Sequence, residues 1–352
     1  MAISKRSIPS LDGLRALSVL IVVVCHAQSL YAGHSRYFLF PLRNGHLGVA
    51  TFFVISGYLI TYLLLKEDTK TGKISIRDFY IRRSFRILPP FYAFLAVVGL
   101  RSIFHIEHVD LRSFLSAAFY TWNYDIHATG EIFGHLWSLC LEEQFYLLWP
   151  LTLVCFSRKT SLKIAVFLVA FSPVSRVATY FLAPAYRGHI GMMLHSRIDT
   201  IMLGCILALV IDLGILTELL EKIRRSAAIA CAALLLLQVE NLLGLRFGGY
   251  WDLAFGITIQ GLCCAVIVIY CMSQTENLLG RFLNHPVMRH IGTISYAIYL
   301  WQQMFSLDEP YSQFPFNCVI ILACAELSYF LIERPSYSLR DRVLKKLHSS
   351  QA

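Results

Sequence analysis

Charged side chains are scarce in this sequence: Asp, Glu, Lys and Arg together make up 15% of its 352 residues. Because a soluble domain carries about 25% charged residues to wet its surface, this scarcity excludes an ordinary soluble fold. The ten cysteines show no paired spacing beyond the adjacent Cys263 and Cys264, so neither a zinc site nor a disulfide framework is expected. The stretch from Gly45 to Gly57 lacks the Lys-Ser/Thr ending of a Walker loop, which excludes that nucleotide-binding motif.

Long apolar runs take the place of charge: 57% of the residues are hydrophobic, and the mean hydropathy is +0.59. A membrane helix needs about 20 mainly apolar residues, and no run alternates with the period of a barrel strand. The sequence therefore predicts an all-α polytopic membrane protein, a bundle of about ten transmembrane helices. The predicted spans are Leu14–Tyr31, Leu47–Leu65, Ile87–Phe104, Leu136–Phe156, Ile164–Leu182, Ile198–Leu216, Ala227–Leu243, Leu253–Met272, Ile291–Ser306 and Phe316–Ile332.

The lysines and arginines predict the orientation, because such residues are retained on the cytoplasmic side of a membrane. With the N-terminus inside, 23 of the 31 fall on cytoplasmic segments, seven on external segments, and Arg176 within the fifth span. Both termini are therefore predicted to be cytoplasmic, which requires an even number of spans. The net charge of +9 also attracts anionic membrane lipids, whereas no nucleic-acid partner is expected, because short loops carry the basic residues.

The whole chain, 1–352, is predicted to be a single integral-membrane domain. The helical bundle covers about 14–332, and a basic cytoplasmic tail covers 333–352. Two segments between spans are long enough to suggest function. Lys66–Arg86 is predicted to be a cytoplasmic loop, and its basic composition suits an anionic ligand. His105–His135 is predicted to be an external loop whose aromatic, acidic and amide side chains suit a polar ligand.

His26 is a titratable residue within an otherwise apolar run. It follows Arg15 by 11 residues, which is about 16 Å along a helix, so the predicted orientation places it in the outer half of the membrane. Ionisable groups inside a membrane usually face a cavity or a partner. One interpretation is a neutral imidazole that packs against a neighbouring helix. The other is a general base, because the ordinary pKa of histidine suits proton transfer at neutral pH.

Glu142 and Glu143 are predicted to lie at a depth comparable to His26, near the outer end of the fourth span. Adjacent residues point about 100° apart on a helix, so the two carboxylates face different neighbours. One of them could orient the His26 imidazole while the other meets Arg176 or the backbone. A packing ion pair is the alternative for each. Both glutamates are candidate catalytic residues on the first interpretation.

Three arginines, Arg82, Arg83 and Arg86, form a basic group at the inner mouth of the third span, just before Pro89 and Pro90. Arg83 and Arg86 are three residues apart and would share one helix face. Guanidinium groups bind phosphate oxygens in a fork geometry, so the group is a candidate phosphate-binding site. A role as a cytoplasmic anchor explains the charge of these residues but not their clustering.

Six motifs follow one another along nearly the whole chain. They are Leu11-Asp12-Gly13-Leu14-Arg15-Ala16 with His26, Gly48-Val49 with Phe52-Phe53-Val54-Ile55-Ser56-Gly57-Tyr58-Leu59-Ile60-Thr61, Arg83-x-x-Arg86-Ile87-x-Pro89, His135-Leu136-Trp137-Ser138-Leu139 with Glu142-Glu143-Gln144-Phe145-Tyr146, Ser295-Tyr296-x-x-Tyr299-Leu300-Trp301, and Ile332-Glu333-Arg334-Pro335. Through them the chain resembles the membrane acyltransferase-3 family, which contains O-acetyltransferases of O-antigen, exopolysaccharide and some antibiotic sugars.

The resemblance implies an O-acyltransferase of groups other than amino-acyl groups, in the bacterial inner membrane. It makes Arg15 and His26 essential and makes Arg83 and Arg86 a contact for cytoplasmic acyl-CoA. The acceptor it implies is a hydroxyl of an extracytoplasmic or lipid-linked saccharide. Acyl-CoA, with acetyl-CoA as the commonest donor, is a substrate, and no permanently bound cofactor or metal is expected. At one position the chain departs from the pattern, because Gln302 stands where many members carry a histidine.

These observations predict a mechanism. Arg15, Arg82, Arg83 and Arg86 bind the acyl-CoA phosphates, and the pantetheine arm carries the thioester towards His26. His26 takes the proton of the sugar hydroxyl, while Glu142 or Glu143 holds the imidazole. Supporting roles fall to Ser56 or Tyr58 as oxyanion donors and to Asp12 and Trp137 within their motifs. The alternative is a secondary transporter of a small polar or anionic solute, which shares the helix count and the intramembrane charges. The oligomeric state stays open.

Overall fold

A computed structural model describes residues 8, 10–29, 45–306 and 315–349, with the backbone alone for 27–29. These residues form helices and turns without a strand among them, which confirms the predicted all-α fold. The α-helices are α1 Leu11–Ser29, α2 Gly45–Thr71, α3 Ile76–Ile103, α4 Leu111–Ala118, α5 Leu136–Cys155, α6 Arg158–Leu182, α7 Leu194–Asp212, α8 Thr217–Arg225, α9 Ala227–Phe247, α10 Gly249–Trp251, α11 Ile257–Ser273, α12 Leu278–Leu283, α13 Pro286–Thr293, α14 Ser295–Trp301, α15 Phe316–Ser328 and α16 Arg334–Ser349. Short 3₁₀ helices cover Trp122–Tyr124, Glu131–Phe133, Pro184–Met192 and Gln302–Phe305, and π-helical turns cover Asp252–Gly256 and Tyr329–Glu333.

Seven helical segments in the described part of the chain are long and apolar enough to cross a membrane. The chain is therefore a multi-pass membrane protein, while the number of ten crossings and the cytoplasmic side of both termini stay predictions. The seven segments are Gly45–Thr71, Ile76–Ile103, Arg158–Leu182, Pro184–Asp212, Ala227–Phe247, Gly249–Ser273 and Phe316–Ser349.

The first, ninth and tenth predicted spans differ in form from the prediction. The first begins earlier than predicted, at Leu11, and the last two residues of Leu14–Tyr31 lie outside the described residues. The ninth, Ile291–Ser306, is interrupted at Ile294, where α13 ends and α14 begins. The tenth runs on without a break into α16, so the tail predicted from residue 333 is helical as far as Ser349.

The prediction that Lys66–Arg86 forms a cytoplasmic loop is wrong. Helix α2 continues to Thr71 and α3 begins at Ile76, so only a tight turn separates them. Ser75 starts α3 because its hydroxyl accepts a hydrogen bond from the backbone N–H of Asp78 at 3.3 Å. The arginines that the loop was expected to carry therefore stand on a helix, which fixes the direction of each side chain.

Helix α3 also passes through Pro89 and Pro90 without ending. A proline inside a helix leaves the carbonyl four residues earlier without its usual donor, and in a membrane no water replaces it. For Pro89 that carbonyl belongs to Phe85, and the hydroxyl of Ser336 in α16 donates to it at 2.7 Å. A side chain from the C-terminal helix thus satisfies the helix bond that Pro89 removes.

Small residues set the closest approach between α2 and α7. A Cβ on Gly57 would collide with the carbonyl oxygen of Ile201, and one on Gly204 would collide with the carbonyl oxygen of Val54. Membrane helices associate through such packing because lipid supplies no hydrophobic drive between them. The two glycines therefore bring the backbones of α2 and α7 into direct contact beside the site described below.

Arg176 of α6 is fully buried and does not contact the glutamates, contrary to one of its expected pairings. Its guanidinium lies 2.9 Å from a carboxylate oxygen of Asp199 and 2.6 Å from the hydroxyl of Thr258. It also donates to the carbonyl oxygens of Ser196 and Leu253. One arginine therefore joins α6, α7 and the start of α11 through a charge pair whose hydrogen bonds are satisfied.

The segment predicted as the external loop, His105–His135, is folded by side-chain hydrogen bonds. The carboxylate of Asp110 accepts hydrogen bonds from the backbone N–H of Ser113 at 2.9 Å, from its hydroxyl at 2.6 Å and from the hydroxyl of Thr129. The hydroxyls of Ser113 and Thr129, followed by the Ser113 N–H, hold the pKa of Asp110 well below its usual range. Arg112 pairs with Asp125 at 2.7 Å in the same segment.

Candidate active site

A cavity lies between helices α1, α2, α3, α5 and α14, and it brings most of the predicted site residues together. Arg15, Arg83 and Arg86 supply positive charge to its wall, and Glu142 and Glu143 supply the carboxylates. The other lining residues are Val49, Phe52, Phe53, Ile55, Ser56, Leu59, Ile87, Ser138, Leu139, Tyr146, Ser295, Tyr296 and Tyr299. Five segments that are distant in sequence therefore meet at one polar cavity inside an apolar bundle.

Glu142 is held by hydroxyl groups in this cavity. The Ser56 hydroxyl donates to one of its oxygens at 2.8 Å, and the Tyr146 hydroxyl lies 3.1 Å from the other. Ser56 and Tyr146 are themselves 3.2 Å apart, so the three groups form a closed triangle. The carboxylate is thus fixed towards α2 and does not reach His26. The expectation that Glu142 orients the imidazole is not met by this geometry.

The Arg83 guanidinium packs over the ring of Tyr146, 4.3 Å from its centroid. Arg83 and Arg86 both line the cavity, as their three-residue spacing predicts for neighbours on one helix face. Glu333, which is 1% exposed, lies close enough to Arg15 and Arg86 to interact electrostatically, and Tyr337 donates to it at 2.9 Å. The arginines therefore lie among buried carboxylates at the wall of the cavity.

Tyr299 and Ser138 form part of the cavity wall. Their hydroxyl oxygens are 2.5 Å apart, and both lie 3.1 Å from the carbonyl oxygen of His135. The ring of Phe52 meets that of Tyr299 edge-on at 6.4 Å. Tyr299 precedes Gln302 by three residues, so this wall is about one helical turn, or roughly 5 Å, from the level of Gln302.

His26 is not part of the cavity lining, and it contacts Gln302. Its ring nitrogen Nδ1 is 2.7 Å from the amide oxygen Oε1 of Gln302, a residue with no exposed surface. An amide oxygen only accepts hydrogen bonds, so Nδ1 carries the proton in the neutral ring and Nε2 has the lone pair. Gln302 does for the imidazole what was expected of Glu142 or Glu143. This role of Gln302 depends on a tertiary contact between α1 and the end of α14, and the sequence alone did not predict that contact.

Besides His26, four predicted site residues lie outside the cavity wall. Arg82 points to Glu67, with 2.9 Å between nitrogen and oxygen. The Tyr58 ring stacks on that of Tyr62 at 5.8 Å. Trp137 packs against the rings of His46 and Phe53, and Asp12 stands in the first turn of α1, where its backbone meets Gly292. None of these four side chains belongs to the lining of the cavity.

Tyr146, Tyr299 and Glu333 belong to the sequence motifs but had no predicted role, and the structure brings all three to the site. The signal available in the sequence was their place inside the same six motifs. Among the described residues, no group of three or more His, Cys, Asp or Glu side chains is arranged to hold a metal ion.

Comparison with known proteins adds to this geometry. The chain is 31% identical to the peptidoglycan O-acetyltransferase OatA of Listeria monocytogenes, across 94% of the chain and 56% of that protein. It is 30% identical to the O-acetyltransferase OatA and to a putative O-acetyltransferase of Staphylococcus aureus, in each case across 94% of the chain and 57% of the relative. The chain thus spans just over half the length of the curated relatives it matches. No solved structure matches it.

Residues 8–307 match the family model described as "Acyltransferase domain", which covers five of the six motifs and most of the described bundle. The predicted family and the predicted class of enzyme are thereby confirmed. The chain belongs to the acyltransferase-3 family of membrane acyltransferases.

Proposed function

We propose that this protein transfers an acetyl group from cytoplasmic acetyl-CoA to a hydroxyl of a saccharide on the other side of a bacterial cell membrane. The observation that carries the proposal is a cavity lined by Arg15, Arg83, Arg86 and Tyr299, with Gln302, the hydrogen-bond partner of His26, three residues after Tyr299. The relatives that are named as O-acetyltransferases support the acetyl group and the oxygen acceptor.

The donor end suits the head group of coenzyme A. Its phosphates cannot enter hydrocarbon without a heavy desolvation penalty, whereas guanidinium groups bind phosphate oxygens in bidentate pairs. Arg83 and Arg86 come from α3 and Arg15 comes from α1, so their charges converge from two helices. The slender pantetheine arm would follow the cavity past Ser56 to Tyr299, which brings the thioester towards His26.

His26 would act as the general base through Nε2. It takes the proton of the acceptor hydroxyl while the hydroxyl oxygen attacks the thioester carbonyl carbon. As the new C–O bond forms, the C–S bond breaks, and the coenzyme A thiolate leaves. The proton held by the imidazolium passes to that thiolate, which restores the neutral ring. Gln302 holds Nδ1–H throughout, so the ring keeps one orientation during both proton transfers.

Glu142 has a different place in this scheme from the one expected. Glu142 is hydrogen-bonded to the hydroxyls of Ser56 and Tyr146 in the cavity wall, and the Tyr146 ring packs against the Arg83 guanidinium. Glu142 therefore positions the donor-binding side chains, and Ser56 is one of the hydroxyls that line the cavity. The alternative of a secondary transporter has no comparable use for an arginine pair at a single mouth of the cavity.

Purified protein in proteoliposomes tests the proposal. Acetyl-CoA labelled in its acetyl group is supplied on the arginine side, with bacterial cell-wall glycan as acceptor. We expect label in ester linkage on the glycan, and we expect His26→Ala to abolish it without loss of folded protein. Transfer at the wild-type rate by folded His26→Ala protein removes His26 as the base. Uptake of a solute without thioester cleavage supports the transporter instead.

A further inference from the structure

A second group of polar side chains lies outside the donor cavity, where α5, α7, α9 and α11 meet. We name it the Arg197 cluster. It consists of Trp137, Arg197, Glu240, Trp251, Asp252 and Gln260. Neither the donor site nor the general base uses these residues. Polar groups inside a membrane bundle are costly to bury, so a cluster of them suggests a ligand.

Arg197 is 3% exposed and is poorly satisfied for a buried cation. Its Nε has no hydrogen-bond partner in the described part of the chain, and its closest polar contact is Gln260 at 3.5 Å. The guanidinium carbon lies 6.0 Å from the ring centre of Trp137. By contrast, Arg176, one helix away, uses its donors on Asp199, Thr258 and two carbonyl oxygens. Only Arg197 of this pair keeps donors for a ligand.

Besides Asp199, which forms its salt bridge with Arg176, two further carboxylates, Glu240 and Asp252, lie near Arg197 without a salt bridge to it. Both are close enough to interact electrostatically with Arg197 and with each other. Glycines make room for them: a Cβ on Gly244 would lie 2.7 Å from an Asp252 oxygen, and one on Gly256 would lie 2.8 Å from a Glu240 oxygen.

The helix geometry also changes at this point. Asp252 begins a π-helical turn that ends at Gly256, and such turns are frequent at functional sites. The buried indole N–H of Trp251 has no acceptor among the residues described. Hydrogen-bond donors and hydrogen-bond acceptors are therefore both available within one small region.

The Arg197 cluster lies next to the base. His46, at the start of α2, is close enough to interact electrostatically with both His26 and Arg197, and its ring centre is 6.4 Å from that of Trp137. Trp251 and Asp252 are only partly buried, which gives the cluster an accessible edge. The cluster is thus on the His26 side of the bundle, whereas Arg83 and Arg86 line the cavity on the other side of Tyr299.

We propose that the Arg197 cluster binds the acceptor as a neutral hydroxylated ring, that is, a neutral sugar. This inference rests on the proposed acetyl transfer and names the site of its acceptor. Sugar hydroxyls both donate and accept hydrogen bonds, so they match carboxylates, an amide and a guanidinium placed together. The two carboxylates repel an anion, and the guanidinium repels a cation. The indoles of Trp137 and Trp251 supply apolar edges for the ring carbons.

Binding to the full chain in nanodiscs, without acetyl-CoA, tests this assignment. The probes are three neutral tetrasaccharides: chitotetraose, maltotetraose and cellotetraose. We expect the wild type to bind at least one of them, and we expect Arg197→Gln and Asp252→Asn each to weaken that binding by about tenfold or more, because each removes a charged hydrogen-bonding group. A wild type that binds none of the three overturns the proposal, as does unchanged affinity in both variants.

Two controls separate this proposal from the others. Arg187→Gln changes an exposed arginine that donates to the carbonyl oxygen of Tyr180 and packs over its ring, and it should leave tetrasaccharide binding unchanged. Glu240→Gln, which keeps the side-chain volume, serves as the second carboxylate variant if Asp252→Asn does not fold. Acetyl-CoA binding is measured on the same samples. If the wild type does not bind acetyl-CoA, the proposed function is contradicted. If it binds acetyl-CoA but no tetrasaccharide, only the assignment of the Arg197 cluster as the acceptor site is contradicted.

Discussion

The amide oxygen of Gln302 lies 2.7 Å from Nδ1 of His26, although 276 residues separate the two in the chain. Gln302 is fully buried at the end of α14, and His26 lies near the end of α1. The contact determines which ring nitrogen bears the proton. The amide of Gln302 cannot exchange a proton, so Gln302 contributes by orienting the imidazole. The effect of replacing Gln302 can therefore be distinguished from the effect of replacing His26.

Replacing Gln302 with leucine should slow acetyl transfer by about 10- to 100-fold, in the range typical for residues that orient a catalytic imidazole. The apparent affinity for acetyl-CoA should stay unchanged because Gln302 is outside the donor cavity. Initial rates at saturating and limiting acetyl-CoA measure both quantities. Gln274→Leu is the matched control, since the Gln274 amide donates to the backbone carbonyl of Arg224 and contacts neither Gln302 nor His26 in the described part of the chain. Equal losses in the two variants contradict an orienting role.

Replacing Arg83 and Arg86 together with alanine should raise the KM for acetyl-CoA at least tenfold, because two charged contacts to phosphate are lost. The KM for the glycan acceptor should change little. The matched control is Arg82→Ala, whose guanidinium binds Glu67 outside the cavity. Steady-state kinetics with each substrate varied in turn gives both constants. A similar rise for Arg82→Ala means that charge density at this end of α3, and not the cavity lining, recruits the donor.

Arg176→Gln should destabilise the protein by about 3–5 kcal/mol, because it leaves the fully buried Asp199 without its counterion. Arg82→Ala breaks a more exposed pair and should cost at most about 1 kcal/mol. Thermal unfolding in a single detergent, followed by far-UV circular dichroism, compares the two variants. A wild-type melting temperature for Arg176→Gln means that α6, α7 and α11 are held together without this pair.

Asp110→Asn should loosen the segment from His105 to His135 at neutral pH. Because hydrogen bonds lower the pKa of Asp110 in the folded chain, its stabilisation is full above the unfolded value of about 3.9 and is lost as the pH falls through the folded value. Wild type should therefore resist proteolysis of this segment equally at pH 7 and pH 5, and the variant should be cleaved faster at both. Faster cleavage of wild type at pH 5 than at pH 7 contradicts this assignment.

Helical class and membrane residence followed from the sequence because both depend on composition and on the length of apolar runs. The family followed from six motifs in fixed order. Helix periodicity also placed Arg83 and Arg86 on one face, and both line the cavity. The same periodicity turns Arg82 about 100° away from Arg83, towards Glu67, so its different environment was implicit in the spacing.

Partners between distant segments depended on tertiary packing. From sequence alone, His26 and Glu142 shared a depth in the membrane, and depth suggested contact. The structure instead places Ser56 and Tyr146 at the carboxylate of Glu142 and places Gln302 at the imidazole. A hydrophobic pattern reports how far along its helix a residue lies but not how that helix is rotated towards its neighbours. Rotation is decided by close contacts, such as Gly57 against Ile201, which exist only once the helices have packed.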